Sequence, residues 1–224
     1  MIPIRDSEGA RRLAPANTLL IVVNLAVFAL EVRSGALAGA VFVRFAMVPA
    51  LIAQSHSLLR EMRILATLVT SQFLHAGILH IAGNLLYLFI FGPAVEARMG
   101  HHRFLGFYLT AGVVAGLALV AMEPASRVAV VGASGAIAGV LGAYFFLFPG
   151  ARITTFVLLR SIEIPAIYYL LAWFALQLYS GLASGTAGSQ DGGVAWWAHV
   201  GGFLFGVAAG PILARKPITP GRRR

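Results

Sequence analysis

Charged residues are absent from six long stretches of the chain, and this is the clearest feature in its pattern of apolar and polar positions. A helix that crosses a bilayer needs about 20 mostly apolar residues. The pattern therefore predicts six membrane-spanning helices, whereas the uncharged run 45–59 is too short for another. The six stretches cover residues 13–30, 64–95, 104–122, 128–151, 164–190 and 192–214.

The composition agrees with this pattern. The mean hydropathy is +0.84, 59% of the residues are hydrophobic and only 11% are charged, which is far too apolar for a soluble globular domain. The chain has no cysteine, and this excludes disulfides, a thiol nucleophile and Cys-x-x-Cys metal sites. We therefore predict an all-α polytopic membrane protein built as a bundle of six transmembrane helices.

The arginines and lysines are divided unevenly between the two ends of the predicted helices. Flanking cations are retained on the cytoplasmic side, and an even number of spans places both termini on one side. That side carries twelve of the 17 cations, so both termini are predicted to be cytoplasmic. The other five are Arg33, Arg44, Arg60, Arg63 and Arg127.

The formal charge of +9 is explained by this topology and by the attraction of basic residues to anionic lipid head groups. The sequence has no basic patch interleaved with aromatic residues, so a nucleic-acid partner is not predicted. Membrane lipids are the expected partners of the basic segments.

One membrane domain is predicted over residues 14–214, between two polar tails. The N-terminal tail 1–13 and the basic tail 215–224 are expected to be cytoplasmic and loosely ordered. Residues 34–63 mix apolar and cationic side chains and are predicted to lie in the outer membrane interface. A cleaved secretory signal is the alternative to a first span, but a retained span also satisfies the even count.

Four of the polar side chains inside the predicted spans are selected as site candidates, because their positions place them at a similar depth near the outer side. His80 and Asn84 are one helical turn apart in the second span, Ser134 is in the fourth and His199 in the sixth. At 1.5 Å per residue from the starts of their spans, Ser134 and His199 should both lie roughly 10 Å deep. Polar groups are unfavourable in a bilayer, so each is a candidate for function.

Each of these residues also has a structural interpretation when it is taken alone. A serine often bonds the carbonyl of the preceding helical turn, and a histidine or an asparagine often joins two helices. The common depth of the four favours a shared site instead. Small residues support this interpretation, because Gly135 and Gly139, and likewise Gly202, Gly206 and Gly210, would let the fourth and sixth helices approach closely.

Four short motifs resemble those of the rhomboid intramembrane serine proteases. They are "HAGILHIAGN" at 75–84, "EARMG" at 96–100, "GASG" at 132–135 and "AHVGG" at 198–202. The resemblance covers about residues 17–214 and implies a six-helix bundle whose active site opens outward. It also implies that Ser134 is the nucleophile, that His199 is the general base, and that His80, Asn84 and the Ser134 backbone N–H bind the oxyanion.

The chain departs from the family pattern at two places. Members often carry a Trp-Arg pair in the first outer loop, where this chain has Met62 and Arg63. Some place an aromatic residue four positions after the nucleophile to support the histidine ring, and here that position is Ala138. No acidic residue lies in a span near His199, so the predicted catalytic group is a Ser–His dyad rather than a triad.

The sequence thus predicts a serine endopeptidase that hydrolyses peptide bonds in or near transmembrane segments, most simply in a bacterial inner membrane. No cofactor and no metal are predicted, and transmembrane proteins are the expected substrates. The sequence carries no signal for an oligomeric state. Ser71, Gln72 and His75 lie near the mouth that would admit water, and His75 is interpreted as structural.

A second hypothesis comes from another functional class. The chain could be a non-catalytic membrane protein that binds client helices, or a cation through His75, His80 and His199. Intramembrane cation sites are typically assisted by carboxylates. The eight acidic residues all lie at span ends or in loops, and the cation site is therefore the weaker hypothesis.

The predicted topology can be tested with reporter fusions. A reporter at residue 224 and one near Gly188 should lie on opposite sides of the membrane, because one more span separates the last outer loop from the C-terminus. Reporters found in the same compartment would contradict the six-span topology.

Overall fold

Nine helices and three short strands make up the described part of the computed structural model, which covers residues 2–8, 13–35, 38–54, 58–157, 160–187 and 194–215. Residues 188–193, which belong to the loop predicted to face outward, residues 9–12 and the basic tail at 216–224 lie outside these ranges. In chain order the elements are β1 (Ile2–Asp6), α1 (Pro15–Arg33), α2 (Ala38–Phe45), α3 (Pro49–Ala53), α4 (Leu58–Thr70), α5 (Ile78–Met99), α6 (His101–Met122), α7 (Ser134–Leu147), β2 (Arg152–Val157), β3 (Arg160–Pro165), α8 (Ala166–Ala187) and α9 (Trp196–Leu213).

The predicted bundle is confirmed, and its six apolar helices are α1, α5, α6, α7, α8 and α9. Five of them are long and apolar enough to cross a membrane, and α7 is the exception with 14 residues. An α-helix of that length is only about 21 Å long. All residues from Gly135 to Tyr144 are buried, so α7 is the central helix and is shielded by its neighbours. The chain is an integral membrane protein.

The second predicted span is not one continuous helix. Residues 64–70 belong to α4, a 3₁₀ turn follows at Ser71–Phe73, and α5 begins only at Ile78. The break is held by bonds to other segments, since the Gln72 amide donates to the Leu109 carbonyl at 3.2 Å as well as to that of Leu68. The α4 helix therefore continues the loop region that contains α2 and α3, and the placement of residues 34–63 in the outer interface stays a prediction.

The expectation of a helix from residue 128 is also wrong. Residues 128–133 are not helical, and Ser134 is the first residue of α7. Two bonds between Val130 and Met47 and one from the Gly132 N–H to the Ser71 carbonyl, at 2.9 Å, hold this segment. Gly132 has φ +124°, a conformation that favours glycine. The depth counted as a helical rise from residue 128 therefore has no structural basis.

The close packing predicted for the fourth and sixth helices is confirmed. The α7 helix packs more extensively on α9 than on any other element. A Cβ on Gly202 would lie 2.2 Å from the Gly135 carbonyl oxygen, and one on Gly206 would lie 2.0 Å from that of Gly139. Since no side chain fits between the two backbones, the glycines set the distance between α7 and α9.

The strands form a small antiparallel sheet in the order β1-β2-β3, which the sequence analysis did not predict. Residues 2–8 were expected to be loosely ordered, and this expectation is wrong because β1 pairs with β2. The carboxylate of Asp6 also accepts a 2.7 Å bond from the Tyr144 hydroxyl, near the end of α7. The tail is therefore ordered by partners that are distant in sequence.

Buried carboxylates hold α1 to α5 at one end of the bundle and to the loop before α5 at the other. At the end that carries the sheet, Glu96 is fully buried and accepts from the N–H groups of Ala16 (3.1 Å) and Asn17 (2.7 Å) in the first turn of α1. These are N–H groups that a helix leaves without internal partners. At the other end, Glu31 accepts from the His75 N–H at 3.3 Å. We call the two ends the sheet end and the site end.

The packing of α7 on α9 predicts opposite effects for two matched substitutions. Gly206→Ala should lower the thermal stability of the purified protein by about 1–3 kcal/mol, because its Cβ would overlap the Gly139 carbonyl. Gly106→Ala on α6 meets open space and should be neutral or stabilising by up to about 1 kcal/mol, since alanine is the better helix former. Thermal unfolding in detergent measures both changes. A Gly206→Ala protein as stable as the Gly106→Ala protein would contradict the packing.

Candidate active site

The four polar residues predicted to form a site line one cavity at the site end. Its volume is about 660 Å³, and most of its wall comes from α5, α6, α7, α8, α9 and the segment 128–133. Ser71 and Gln72 also line it, and their place near a mouth that admits water stays a prediction. His75 does not belong to the lining residues.

Ser134 and His199 are hydrogen-bonded across the contact between α7 and α9. The distance from Ser134 Oγ to His199 Nε2 is 2.8 Å. Ser134 is the first residue of α7, and His199 lies in the first turn of α9 and is only 8% exposed. The glycine contacts one and two turns deeper bring these two helix starts together.

The other imidazole nitrogen of His199 bonds to Gln177 on α8, a residue that the sequence analysis did not select. The distance from His199 Nδ1 to Gln177 Oε1 is 2.8 Å. A carbonyl oxygen can only accept, so Nδ1 carries the proton and Nε2 presents its lone pair to the Ser134 hydroxyl. The signal that could have found Gln177 was present, because it is an amide in the middle of an uncharged span.

Two tryptophans contact the histidine ring. The ring centroids of Trp173 and Trp196 lie 6.0 Å and 6.2 Å from that of His199, the first tilted by 32° and the second nearly perpendicular. These rings and Gln177 surround His199 although position 138 is an alanine. The support that an aromatic residue at position 138 would give therefore comes here from α8 and α9.

His80 and Asn84 on α5 direct two donors toward Gly132, beside Ser134. A Cβ on Gly132 would lie 2.7 Å from His80 Nε2 and 3.6 Å from Asn84 Nδ2. His80 Nδ1 accepts a weak 3.4 Å bond from the Ala76 N–H, so Nε2 is the nitrogen that carries the proton. Within the described residues, Asn84 Nδ2 is buried and has no hydrogen-bond partner. Two N–H donors are thus available to an acceptor in the cavity.

The N-terminus of α7 adds to these donors. The N–H groups in the first turn of a helix have no partners within the helix, and the aligned peptide dipoles place partial positive charge there. Since Ser134 is the first residue of α7, its own N–H belongs to this group. A negative charge that forms next to Ser134 would therefore meet a positive potential on the α7 side as well as the donors from α5.

His75 supports His80 from behind. It is 2% exposed, and its ring lies 5.2 Å from that of His80 in an edge-to-face arrangement. His75 lies in the loop before α5, where burial, and secondarily the neighbouring His80, lowers its pKa to about 4. His75 is therefore neutral at pH 7, which suits a structural role.

The alternative cation site was predicted at His75, His80 and His199. In the ranges that the structure describes, no three His, Cys, Asp or Glu side chains form a group that could hold a metal ion. Of the three buried carboxylates in the described residues, Glu31 and Glu96 accept from backbone N–H groups and Asp6 accepts from the Tyr144 hydroxyl. The donor set at the site therefore gives the cation hypothesis no support.

Comparison with known proteins agrees with the four motifs. The Rhomboid domain family model matches residues 63–216, a range that includes all four site residues. The chain is 28% identical over 162 residues to Rhomboid protein 1, mitochondrial, of Saccharomyces cerevisiae, and the aligned region covers 70% of this chain and 44% of that protein. It is 44% identical over 80 residues to Rhomboid protease GluP of Bacillus subtilis, and this aligned region covers 36% of this chain and 15% of that protein.

A third relative is RHOMBOID-like protein 6, mitochondrial, of Arabidopsis thaliana, which is 32% identical over 153 residues, covering 67% of this chain and 44% of that protein. The chain thus spans less than half the length of each of these relatives. The family model, in contrast, covers more than half of this chain. The protein therefore belongs to the rhomboid family.

Proposed function

We propose that this protein is an intramembrane serine endopeptidase that hydrolyses peptide bonds in or near transmembrane segments of membrane proteins, with Ser134 and His199 as a catalytic dyad. The observation that carries the proposal is the 2.8 Å bond between Ser134 Oγ and His199 Nε2 in a cavity that also holds unused N–H donors. Family relatives named as proteases support the same class of reaction.

The first step is attack by Ser134. A serine hydroxyl is a weak nucleophile until a base takes its proton, and His199 Nε2 is placed to do so. A bond forms from Ser134 Oγ to the substrate carbonyl carbon, the C=O π pair moves onto the oxygen, and the proton goes to His199. The products of this step are a tetrahedral oxyanion and an imidazolium.

The oxyanion is stabilised by donors that are already in place. Asn84 Nδ2, His80 Nε2–H and the Ser134 backbone N–H surround the space next to Gly132. Donors aimed at a developing charge in a low-dielectric site lower the barrier, because they need no rearrangement during the reaction. The absence of a side chain on Gly132 keeps this space open.

Collapse of the oxyanion breaks the C–N bond, and the imidazolium donates its proton to the leaving amine. Water then attacks the acyl-enzyme with His199 again as the base, which releases the new carboxylate and restores Ser134. Ser71 and Gln72 line the cavity on the α4 side, and we propose this polar wall as the path for that water. No metal or cofactor takes part in this scheme.

The substrate class follows from the location of the site in a membrane bundle. A peptide bond in a membrane helix is shielded by helical hydrogen bonds, so a substrate segment must unwind before it reaches Ser134. Small or helix-breaking residues near the cleaved bond lower the cost of unwinding. We further propose that both termini are cytoplasmic, in a bacterial inner membrane, so that the sheet end faces the cytoplasm and the site end faces outward.

The dyad assignment predicts the behaviour of three variants. Ser134→Ala and His199→Ala should each abolish fluorophosphonate labelling and cleavage of a transmembrane substrate in detergent, because each removes half of the activated nucleophile. The double variant should be scarcely slower than either single one, since residues that act as a unit lose activity non-additively.

Ser184→Ala is a suitable control for these variants, because its hydroxyl bonds only to the Ser180 carbonyl of its own helix in the described structure. It should keep both labelling and cleavage. Cleavage that persists in the folded Ser134→Ala protein would remove the nucleophile assignment.

The oxyanion assignment predicts a specific kinetic change for Asn84→Ala. Its kcat should fall about 100-fold with little change in KM, because the lost bond strengthens only in the transition state. The fold should survive, since a single interhelical bond contributes about 0.6 kcal/mol on average.

The matched control is Asn24→Ala, since Asn24 is a buried asparagine whose amide donates to the Leu20 carbonyl of its own helix. Its kcat should equal that of the parent. Chelators should leave the parent unaffected. An unchanged kcat in folded Asn84→Ala, or a divalent-ion requirement in the parent, would contradict the assignment.

A further inference from the structure

The side of His199 that faces away from Ser134 is occupied by an amide and not by a carboxylate. Gln177 is 5% exposed, and its Oε1 lies 2.8 Å from His199 Nδ1. We propose that Gln177 is a positioning residue that fixes the tautomer and the orientation of His199, so that the working unit is Ser134–His199–Gln177. This inference rests on the proposed function, and it adds a third member to the dyad.

The orientation of the amide is fixed by its second bond. Gln177 Nε2 donates to the Trp173 carbonyl, one turn earlier on α8, at 3.3 Å. The amide nitrogen is therefore engaged by its own helix, and the oxygen is the atom that faces the imidazole. If the amide were rotated, the N–H would point at His199 and would favour a proton on Nε2, which could no longer accept from Ser134.

Packing also holds the His199 imidazole in the orientation that makes both hydrogen bonds. Trp173 and Trp196 lie against the ring on two sides, and Trp173 also supplies the carbonyl that holds the Gln177 amide. A flip of the ring would put Cδ2 in the place of Nδ1 and Cε1 in the place of Nε2, and would break both hydrogen bonds. One segment of α8 thus controls both the tilt of His199 and the identity of its protonated nitrogen.

The charged groups near His199 are few. Neither α7 nor the described length of α8 contains Asp, Glu, Lys or Arg, and the charged side chains within α6 lie in its first turn, at the sheet end. The titratable and charged groups at the site end include His80 and Tyr87 in the cavity wall and His75 behind His80. Glu31 and Arg33 lie at the end of α1, and Glu123 and Arg127 lie between α6 and α7. Within the described residues the His199 ring is hydrogen-bonded to Ser134 and Gln177 and to no carboxylate, so the amide dipole of Gln177 faces the imidazolium.

The chemical role of Gln177 is therefore different from that of the aspartate in a Ser-His-Asp triad. An amide oxygen accepts from Nδ1–H throughout the reaction and carries no net charge, so it orients the ring with less stabilisation of the imidazolium than a carboxylate gives. No proton moves between Gln177 and His199 at any step.

Two substitutions separate positioning from simple packing. Gln177→Leu keeps the approximate volume and removes the acceptor, and we expect kcat to fall about 10- to 100-fold with KM within about twofold of the parent, since orientation of the base acts on the chemical step. Gln177→Glu restores an acceptor and adds a charge that stabilises the imidazolium. It should keep substantial activity, with the acid limb of the kcat profile moved upward by about one pH unit. The limb moves to higher pH because His199 must be neutral to act as a base, and a neighbouring carboxylate keeps the imidazolium of His199 protonated to higher pH.

A second measurement does not depend on cleavage. NMR spectra of protein with isotope-labelled histidine report which imidazole nitrogen is protonated, and the His199 signal is identified by its absence from a His199→Gln variant. The parent should show a proton on Nδ1, and Gln177→Leu should show a mixture of tautomers. Ser184→Ala on the same helix is the control and should change neither the spectrum nor the pH profile.

The outcomes distinguish this inference from the proposed function. Parent protein that does not cleave, or Ser134→Ala that does, would refute the proposed function, and the NMR result would still decide the role of Gln177. Folded Gln177→Leu with the kcat and the His199 spectrum of the parent would overturn the inference. A kcat loss in Gln177→Leu without a moved acid limb in Gln177→Glu would also overturn it, because a purely structural residue would behave in that way.

Discussion

The direct contact between the backbones of α7 and α9 is the constraint on which the rest of the structure depends. Gly202 and Gly206 pack against the carbonyls of Gly135 and Gly139, at distances that leave no space for a Cβ. This contact sets the separation of the two helix starts, and hence the 2.8 Å bond between Ser134 and His199. Lipid tails provide no hydrophobic drive for helix association, so close packing of this kind must stabilise the bundle. The same glycines therefore determine both the stability of the protein and the geometry of its site.

Several features of the fold and site could be predicted because they depend on local pattern. The uncharged stretches marked six apolar helices, and the small-residue spacing marked the faces of α7 and α9. The starts of α5 and α7 could not be predicted in the same way, because they depend on bonds between segments distant in sequence, such as those of Val130 with Met47. Gln177 was missed for a related reason, since its importance depends on a ring 22 positions later in the chain.

Buried polar groups in this bundle fall into two classes. Some are satisfied by backbone groups, as in the bonds of Glu96 to α1 and of the Asn24 amide N–H to its own helix. Other buried polar atoms have no partner among the described residues, and Asn84 Nδ2 is the N–H donor among these that lies in the cavity wall. An unsatisfied buried donor is unfavourable and requires an explanation. The proposed role of Asn84 as an oxyanion donor provides one, and the energetic cost is then part of the preorganisation of the site.

The pairing of β1 with β2 has a consequence for how the chain is made. β1 pairs with residues 153–156, and the Asp6 carboxylate binds Tyr144, so α1, α5, α6 and α7 all lie between the two strands in the sequence. A ribosome adds residues in order, and β1 is therefore finished long before its partner exists. During that interval four helices enter the bilayer while the edge of β1 stays unpaired, in the same compartment where β2 will emerge. The sheet can therefore close only late in biogenesis, and its closure joins an early segment of the chain to the far end of the helix that begins with Ser134.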